Sequence, residues 1–380
     1  MREVIVVGAG PVGMLLAGEL SRLGVNVELL ERRPSAGGGT RAIGVHSPVL
    51  AALEPSGLTE RLLASAARVT RGEARSRGDV LGVVRFERLS RRFPFVATLP
   101  QAATEAVLAE AAPEPVRSAT VTAVLPAPDH VRVRAAVSGG ITERDARVVV
   151  VATGSGGRDV VYRTDALARR LYPDRYLMTD ATAAIDADTS VAAVHLDAAG
   201  VLESFPLPGG RRRFVAWDAA PHASDTAATR GARLREAMAV RGEAQAGEGV
   251  AAATSFGVRR MVAPRMRRDR ILTVGDTAHE VSPIGGQGMN LGLLDAMTLA
   301  PLLAEWMRTG TAPTTLDAWE RRRVRSARVS AAIAAGNTVL GRPASRRIDR
   351  LRTGALRALL ATPASLVLAH AYAMGFDADA

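Results

Sequence analysis

Two glycine-rich segments, far apart in the chain, have the residue types and spacing needed to hold a nucleotide. The first has glycines at its first, third and sixth positions: Gly8-Ala9-Gly10-Pro11-Val12-Gly13. In a turn from strand to helix, the first glycine permits the tight turn, the second lets a pyrophosphate approach the backbone, and the third lets helix and strand pack closely. Glu31, at the end of the next strand-like run, suits the two hydroxyls of an adenosine ribose. The segment therefore predicts dinucleotide binding.

The second segment combines a carboxylate with a glycine-rich helix start. Gly275-Asp276 follows the apolar run Ile271–Val274, and the glycines come shortly afterwards: Ser282-Pro283-Ile284-Gly285-Gly286-Gln287-Gly288-Met289-Asn290. A carboxylate at a strand end suits sugar-like hydroxyls, and a glycine-rich helix start exposes N–H groups to an anionic ligand. A reduced flavin carries negative charge near N1 and O2 of its ring, which such a helix end would stabilise. The first segment does not distinguish FAD from NAD, but the second favours FAD.

The elements that must position these segments follow from the apolar pattern. The β-branched run Glu3–Val7, the helical pattern Val12–Leu23 and the strand Val25–Leu30 complete a βαβ unit. From Tyr176 to Asp218 the pattern alternates, with Pro208-Gly209-Gly210 as a hairpin signal. We therefore predict an α/β fold, with a Rossmann-like FAD-binding domain, an inserted and mainly antiparallel β-sheet substrate domain, and a helical C-terminal segment.

The predicted FAD-binding domain is discontinuous, because the nucleotide-binding pattern returns after the inserted sheet. We assign residues 1–75, 100–170 and 263–340 to this domain, residues 76–99 and 171–262 to the substrate domain, and residues 341–380 to the C-terminal helical segment. The last amphipathic stretch, 355–374, is predicted to pack against the body of the protein.

The composition of the 380 residues narrows the remaining classes of function. The chain has no cysteine, which excludes disulfides, thiolate catalysis and iron–sulfur clusters. The net charge of +11 comes from scattered arginines, and only 4% of residues are aromatic, so no nucleic-acid partner is expected. No apolar run reaches the ~20 residues of a membrane span, and the first residues do not resemble a signal peptide. We expect a cytoplasmic monomer or homodimer without stable membrane insertion.

Four stretches resemble the class A flavoprotein monooxygenases, the para-hydroxybenzoate hydroxylase group. They are Gly8–Gly13 with Glu31-Arg32-Arg33, Gln101 with Glu105, Phe205–Gly210, and Gly275–Asp295. The resemblance implies FAD contacts for the following residues: Glu31 at the adenosine ribose, Arg32 and Arg41 beside the adenosine and pyrophosphate, Gln101 at the ribityl or pyrophosphate part, Asp276 at the ribityl hydroxyls, Pro283 beside the flavin edge where oxygen reacts, and Gly288, Met289 and Asn290 with their N–H groups toward the ring.

The resemblance also implies an activity, that of an FAD-dependent monooxygenase. In that family NAD(P)H reduces the flavin, molecular oxygen forms a flavin hydroperoxide, and one oxygen atom hydroxylates or epoxidises an aromatic or polyketide-like small molecule.

One departure from the family pattern concerns the reductant. The family usually has an Asp-Gly pair followed by Ser and Val-Arg, whereas here Ser155 replaces the Asp and Asp159 replaces the Ser. An FAD oxidase or dehydrogenase on the same fold therefore remains an alternative, as does a non-catalytic FAD-binding protein. A flavin halogenase is disfavoured, because that group relies on an active-site lysine and this chain has no lysine.

Outside the cofactor segments, the sequence offers four candidates for contact with the substrate or the reacting atoms: His46, Arg213, Trp217 and Pro283. Arg213 and Trp217 alternate on one strand of the predicted substrate sheet, so both would face the same side. His195 and His222 fall in the same region and are predicted at the surface. The six histidines show no metal-ligand spacing, so no metal site is expected.

Overall fold

The computed structural model describes residues 1–37, 42–88, 90, 92–184, 186–219, 225–374 and 376–377. The strands are β1 Arg2–Val7, β2 Val27–Leu30, β3 Gly44–Val45, β4 Ala67–Val69, β5 Arg71–Ser76, β6 Asp79–Arg85, β7 Val96–Thr98, β8 Ala119–Pro126, β9 Val131–Val137, β10 Gly140–Val151, β11 Arg170–Thr182, β12 Val191–Asp197, β13 Gly200–Leu207, β14 Arg211–Asp218, β15 Thr254–Val262, β16 Arg267–Arg268, β17 Ile271–Thr273 and β18 His279–Glu280. The α-helices are α1 Pro11–Arg22, α2 Ser47–Leu53, α3 Leu58–Leu63, α4 Gln101–Ala111, α5 Ala227–Ala239, α6 Ala244–Gly247, α7 Gln287–Thr309, α8 Leu316–Leu340, α9 Arg346–Leu360 and α10 Ala364–Tyr372.

A parallel sheet of four strands, in the order β17-β10-β1-β2, forms the centre of the first part of the fold. The segments of these strands that pair in parallel are rich in valine and other apolar residues and are mostly buried, as expected for a sheet covered on both faces. Val7 pairs with Val151, and Val151 pairs with Thr273, so these three strands end side by side. The segments that follow them, which begin at Gly8, Ala152 and Val274, are therefore brought to one edge of the sheet.

The long strand β10 has a different partner along each half. Its first half pairs antiparallel with β9, from Gly140 to Ala146, and its second half pairs parallel with β1. The strands β8 and β9 thus extend the sheet beyond the nucleotide-binding motif, and β16 adds an antiparallel edge at β17.

A second sheet has the order β18-β15-β11-β14-β13-β12-β5-β6 and is antiparallel except for the pair β12 and β5. Successive side chains along each strand point to opposite faces of this sheet. One face packs on α5 and α6, with Leu202 and Phe214 against Leu234 and Met238. The other face carries Tyr176, Met178, Val201 and Val215, which cluster with Ile284. This second face is directed toward the cofactor segments.

The turn between β13 and β14 is the hairpin that the sequence predicts. Gly209 and Gly210 both have positive φ, 74° and 67°, a conformation that glycine adopts without steric strain. Together with the parallel sheet and the helical C-terminal segment, the sheet of alternating strands confirms the predicted fold class.

The C-terminal helices α9 and α10 lie beside the second sheet, where a Cβ added at Gly82 of β6 would clash with Leu360. Within the described residues, no single helix is long and apolar enough to cross a membrane, and α9 and α10, bent by 101° at their junction, meet that test only when taken together.

Candidate functional site

A cavity of about 670 Å³ opens between the edge of the parallel sheet and the inner face of the second sheet. Its cofactor end, as we call it, is lined by Gly8, Gly10, Glu31, Arg32, Gly275 and Asp276. Its sheet end is lined by Met178, Glu203, Phe205, Val215, Phe256 and Tyr372. Pro283, Gly285 and Gly286 line the cavity as well.

The three glycines of the first motif differ in what surrounds them. Gly8 has φ +108°, and a Cβ there would lie 2.5 Å from the Ala152 carbonyl oxygen. A Cβ at Gly13 would lie 1.8 Å from the Gly8 oxygen, so that position has to be glycine for helix and strand to pack. A Cβ at Gly10, in contrast, would meet no atom within 4 Å. Packing within the protein does not require glycine at position 10, whereas a ligand bound close to the backbone would require the absence of a side chain there.

The helix α1 begins beside this open space without a side chain that caps its N–H groups. Gly10 is its N-cap, and Pro11 occupies the first turn. Because uncapped N–H groups and the helix dipole favour an anion, this end of α1 suits a pyrophosphate.

Glu31 is buried at the end of β2, and three donors hold its carboxylate. The Ala9 N–H donates to Oε2 at 2.7 Å, and the N–H and Nε of Arg33 donate to Oε1 at 2.9 and 3.0 Å. Burial acts to raise the pKa of Glu31, but the hydrogen bonds and charge of Arg33, with the Ala9 N–H, hold this pKa below its ordinary value. Glu31 is therefore an ionised acceptor at the cofactor end.

The second motif is held in place by Arg158. Its guanidinium donates to the Asp276 carbonyl oxygen at 2.5 and 3.1 Å, to the Thr277 carbonyl oxygen at 3.3 Å and to the Glu280 carboxylate at 2.8 Å. The Asp276 side chain is exposed to the cavity. Arg158 thus makes contacts that hold the fold together, whereas Arg163 forms an exposed ion pair with Asp165.

The glycines after Pro283 lead into the N-terminus of α7. Gly285 and Gly286 have φ of +99° and +67°, and Gly286 is the N-cap of α7 without a side-chain capping hydrogen bond. Pro283 is exposed to the cavity just before this turn. A 23-residue helix therefore presents its uncapped end to the middle of the cavity, where the charged edge of a reduced flavin would be stabilised.

Behind the second motif lies a buried ionic network that sequence reasoning missed. Asp295 accepts from the Gly275 N–H at 2.9 Å, lies 2.6 Å from His279 Nε2, and accepts from Arg323 Nε at 2.7 Å. Arg323 also donates to Asp377 at 2.7 Å, and all these side chains are at most 1% exposed. Burial opposes ionisation of Asp295, but the charges of His279 and Arg323 keep its pKa below the ordinary value. The network fixes the position of Gly275 from behind.

The remaining predicted cofactor residues differ in placement. Arg32, Gln101, Gly288 and Met289 line the cavity, as do Val12 and Pro11 of the first motif. Gln101 accepts from the Ala42 N–H at 3.2 Å and donates to Glu105 at 2.8 Å. Arg41 lies outside the described residues. The side chain of Asn290 is fully buried and connects two segments, accepting from the His46 N–H and donating to the Gly44 and Gly286 carbonyl oxygens, each at 2.9 Å.

Of the candidates for substrate contact, His46 and Arg213 line the cavity but Trp217 lies beyond it. Arg213 donates to both Asp180 oxygens, at 2.6 and 2.8 Å. Trp217 donates to Asp174 at 3.2 Å, because its part of β14 continues past the cavity. Burial lowers the pKa of His46 to about 4, against an opposing contact with the Ala373 backbone, so its ring is neutral at physiological pH.

His195 corrects a prediction, since it is buried rather than on the surface. Its side chain is 5% exposed and lies 3.5 Å from Glu243. The alternation of β12 places it on the face of the sheet that is turned away from the cavity. His222 lies outside the described residues.

The residues present fit FAD. The open Gly10, the ionised Glu31, the exposed Asp276 and the two uncapped helix ends all border one cavity, and together they supply groups suited to the pyrophosphate, the adenosine ribose, the ribityl chain and the flavin ring.

Comparison with known proteins identifies the family to which this site belongs. The sequence model of the family described as FAD binding domain matches residues 1–333. The chain therefore belongs to this family, the class A FAD-dependent monooxygenases, and the resemblance found in its sequence is confirmed.

Two curated relatives and one solved structure illustrate the similarity. The chain is 32% identical over 344 residues to 6-methylpretetramide 4-monooxygenase of Streptomyces rimosus, a match that covers 85% of this chain and 59% of the relative. It is 31% identical over 338 residues to rifampicin monooxygenase of Rhodococcus hoagii, covering 85% and 68%. The crystal structure of p-nitrophenol 4-monooxygenase PnpA from Pseudomonas putida DLL-E4 superimposes with a TM-score of 0.86 at 22% identity, covering 99% and 97%, which shows a shared fold.

The chain thus spans about three fifths to two thirds of the length of these two curated relatives.

Proposed function

We propose that this protein is an FAD-dependent monooxygenase that hydroxylates or epoxidises an aromatic or polyketide-like small molecule. The observation that carries the proposal is the single cavity in which the FAD-binding groups at one end face a largely apolar sheet at the other. A substrate on that sheet would lie beside the loop of Pro283, Gly285 and Gly286, where the flavin ring is expected. The names of the two relatives, which give 6-methylpretetramide and rifampicin as substrates, support the substrate class.

When bound, FAD would supply the redox chemistry, accepting electrons from NAD(P)H and activating molecular oxygen. The protein would hold it through Glu31 at the ribose, the Gly10 backbone at the pyrophosphate and Asp276 at the ribityl chain. The N-terminus of α7 would stabilise the negative charge that reduction places on the ring. Apolar side chains of the second sheet, such as Phe205, Val215 and Phe256, would exclude water from the reacting atoms.

The departure from the family pattern at Ser155 and Asp159 concerns the choice of reductant. Asp159 lines the cavity and forms an ion pair with Arg169 at 3.6 Å. Arg158, the buried arginine next to Asp159 in the sequence, donates to Asp276, Thr277 and Glu280, so it supports the segment that begins at Gly275. We propose NAD(P)H as reductant because the cofactor end is otherwise that of the monooxygenases, and an oxidase or dehydrogenase is the alternative outcome of the test.

The test uses the purified protein, reconstituted with FAD. A monooxygenase binds FAD, consumes NAD(P)H faster when an aromatic substrate is present, and incorporates label from isotopically labelled oxygen gas into the product. Hydrogen peroxide without label in the product would identify an oxidase instead. A protein that takes up no FAD would refute the proposal in either form.

A further inference from the structure

Glu203 places a carboxyl group at a position of the sheet whose neighbours are apolar. It lies on the inner face of β13, with Val194 of β12 and Val215 of β14 directly opposite. Along β13 its neighbours on the same face are Val201 and Phe205. Glu203 lines the cavity and is only 4% exposed.

No group of the described residues neutralises this carboxyl, since it forms neither a hydrogen bond nor an ion pair with any of them. Burying a carboxyl group without a partner is unfavourable by a few kcal/mol. Burial alone raises the pKa of Glu203 to about 8. A buried group that destabilises the fold in this way is typical of a ligand-binding position rather than of a packing position.

The titratable groups around Glu203 leave it free for a ligand. Burial raises the pKa of both Tyr176 and Tyr372, and the negative charge of Glu203 raises each of them further. Of the cations that line the same cavity, Arg213 is bound to Asp180, and His46 is neutral.

The other charged groups near this face either pair with another residue or lie on the opposite face of the sheet. Arg342, which faces Tyr176, is bound to Asp174 at 2.7 Å. Glu73 and Arg75 of β5 pair with each other at 2.6 Å. By the alternation of β5 and β12, these two side chains and His195 lie on the opposite face of the sheet.

The second sheet contributes two arginines to the cavity. Arg213, which is paired with Asp180, and Arg259 both line it, and a positive charge near a bound phenol stabilises the oxyanion that forms when its proton leaves. A phenol has a pKa of about 10, close enough to that of Glu203 for a proton to pass between them without a large energetic penalty.

We propose that Glu203 binds a phenolic hydroxyl of the substrate and accepts its proton, which makes the ring electron-rich before oxygen transfer. In this step the phenol O–H bond breaks, the proton forms an O–H bond with a Glu203 oxygen, and the electron pair stays on the phenolate oxygen. The inference rests on the proposed function, because it names the base that a phenol-hydroxylating enzyme on this fold would use.

The first measurement is spectroscopic and needs no turnover. A naphthol serves as probe and is titrated into the FAD-loaded protein at about pH 8, a value below its own ionisation. Because the pKa of a naphthol, like that of a phenol, lies above that of Glu203, the bound probe at equilibrium stays mainly protonated and donates a hydrogen bond to the carboxylate. The wild-type protein should therefore shift the absorbance of the bound naphthol to longer wavelength, and Glu203→Gln should shift it less. Glu73→Gln, the same substitution on the far face of the sheet, should behave as the wild type. An equal shift in Glu203→Gln, or no shift in the wild type, would overturn the proposal.

The second measurement is kinetic. Glu203→Gln should lower kcat for the naphthol about hundredfold or more, and should remove the rise of kcat/KM with pH near 8. With a nitronaphthol, which is already ionised at neutral pH, the variant should keep a rate within about threefold of the wild type, because no proton has to be removed. An equal loss with both probes would show a structural role and overturn the proposal.

The two proposals fail in different ways. A wild-type protein that shifts the naphthol absorbance but incorporates no labelled oxygen contradicts the monooxygenase, while the assignment of Glu203 as the phenol-binding base stands. A wild-type protein that hydroxylates the naphthol as fast as Glu203→Gln contradicts the assignment of Glu203 alone.

Discussion

At the cofactor end of the cavity, Glu31 accepts three hydrogen bonds and its pKa is lowered, whereas at the sheet end Glu203 has no partner among the described residues and its pKa is raised to about 8. Both are glutamates at or below 5% exposure. One carboxylate is thus held in position by the protein itself, and the other is not held by any described residue. Under the proposed function, the cofactor end is preorganised for FAD, while Glu203 at the sheet end would gain its hydrogen bond from a substrate.

The largest effect is expected when the buried ionic network around Asp295 is broken, and this change tests whether the network supports the cofactor end. Arg323→Met would leave Asp295 and Asp377 buried without their cation, so we expect a loss of about 3–5 kcal/mol in the free energy of unfolding and a lower FAD content. Denaturant unfolding and absorbance of the purified protein measure both. Arg321→Met, at an exposed position on the same helix, is the control. Equal stability of the two variants would mean that the network does not support the site.

A pair of alanine substitutions separates folding from ligand binding at the cofactor end. Gly13→Ala should destabilise the fold by about 1–3 kcal/mol, because the added methyl group collides with the Gly8 oxygen. Gly10→Ala should leave the melting temperature of the apoprotein unchanged but weaken FAD binding about tenfold or more, because the methyl group occupies the space of the pyrophosphate. Unchanged FAD affinity in Gly10→Ala would contradict the assignment of this space to the cofactor.

At the sheet end, the unpartnered carboxyl predicts a gain in stability when it is removed. Glu203→Leu should raise the free energy of unfolding by about 1–3 kcal/mol at pH 8. In the folded protein the carboxyl stays neutral up to about pH 8, but in the unfolded chain it ionises above 4.5. The unfolded state therefore gains from ionisation, and the wild type loses stability relative to Glu203→Leu as the pH rises from 4.5 to 8.

Chemical denaturation of both proteins at several pH values measures this difference. A constant gap between pH 4.5 and 8 would show that Glu203 has a partner in solution.

The smallest effect is expected outside the cavity. Arg163 and Asp165 form an ion pair with side chains 85% and 71% exposed, which water screens. Arg163→Gln should change the free energy of unfolding by less than about 0.5 kcal/mol and leave FAD affinity unchanged. A clear loss of FAD affinity would show that this arginine contributes to the cofactor site, although it lies outside the cavity.

The two ends of the cavity also differ in how much of them the sequence could predict. The βαβ unit, the glycine spacing and Glu31 lie within some thirty consecutive residues, and each has a local physical signature. The hairpin at Pro208-Gly209-Gly210 was predictable for the same reason.

The rest depends on contacts between distant parts of the chain. Asp295 and Arg323 are 28 positions apart, and Arg323 and Asp377 are 54 apart, so no local pattern connects them. Glu203 is identified only once the pairing of β13 with β12 and β14 shows which face it occupies. Arg213 and Trp217 alternate as predicted, but where the cavity ends along β14 depends on the packing of other elements.

The end of the helix α10 forms part of the wall of the cavity. Tyr372 closes the sheet end, and the Ala371 carbonyl oxygen accepts a hydrogen bond from Gln287, the first residue of α7, at 2.5 Å. Both wall residues lie after residue 333, where the match to the FAD-binding family ends. Exchange of this segment for that of a related protein would therefore change the substrate wall, and through Asp377 and the Ala371 carbonyl oxygen it would also reach the network behind Gly275 and the start of α7.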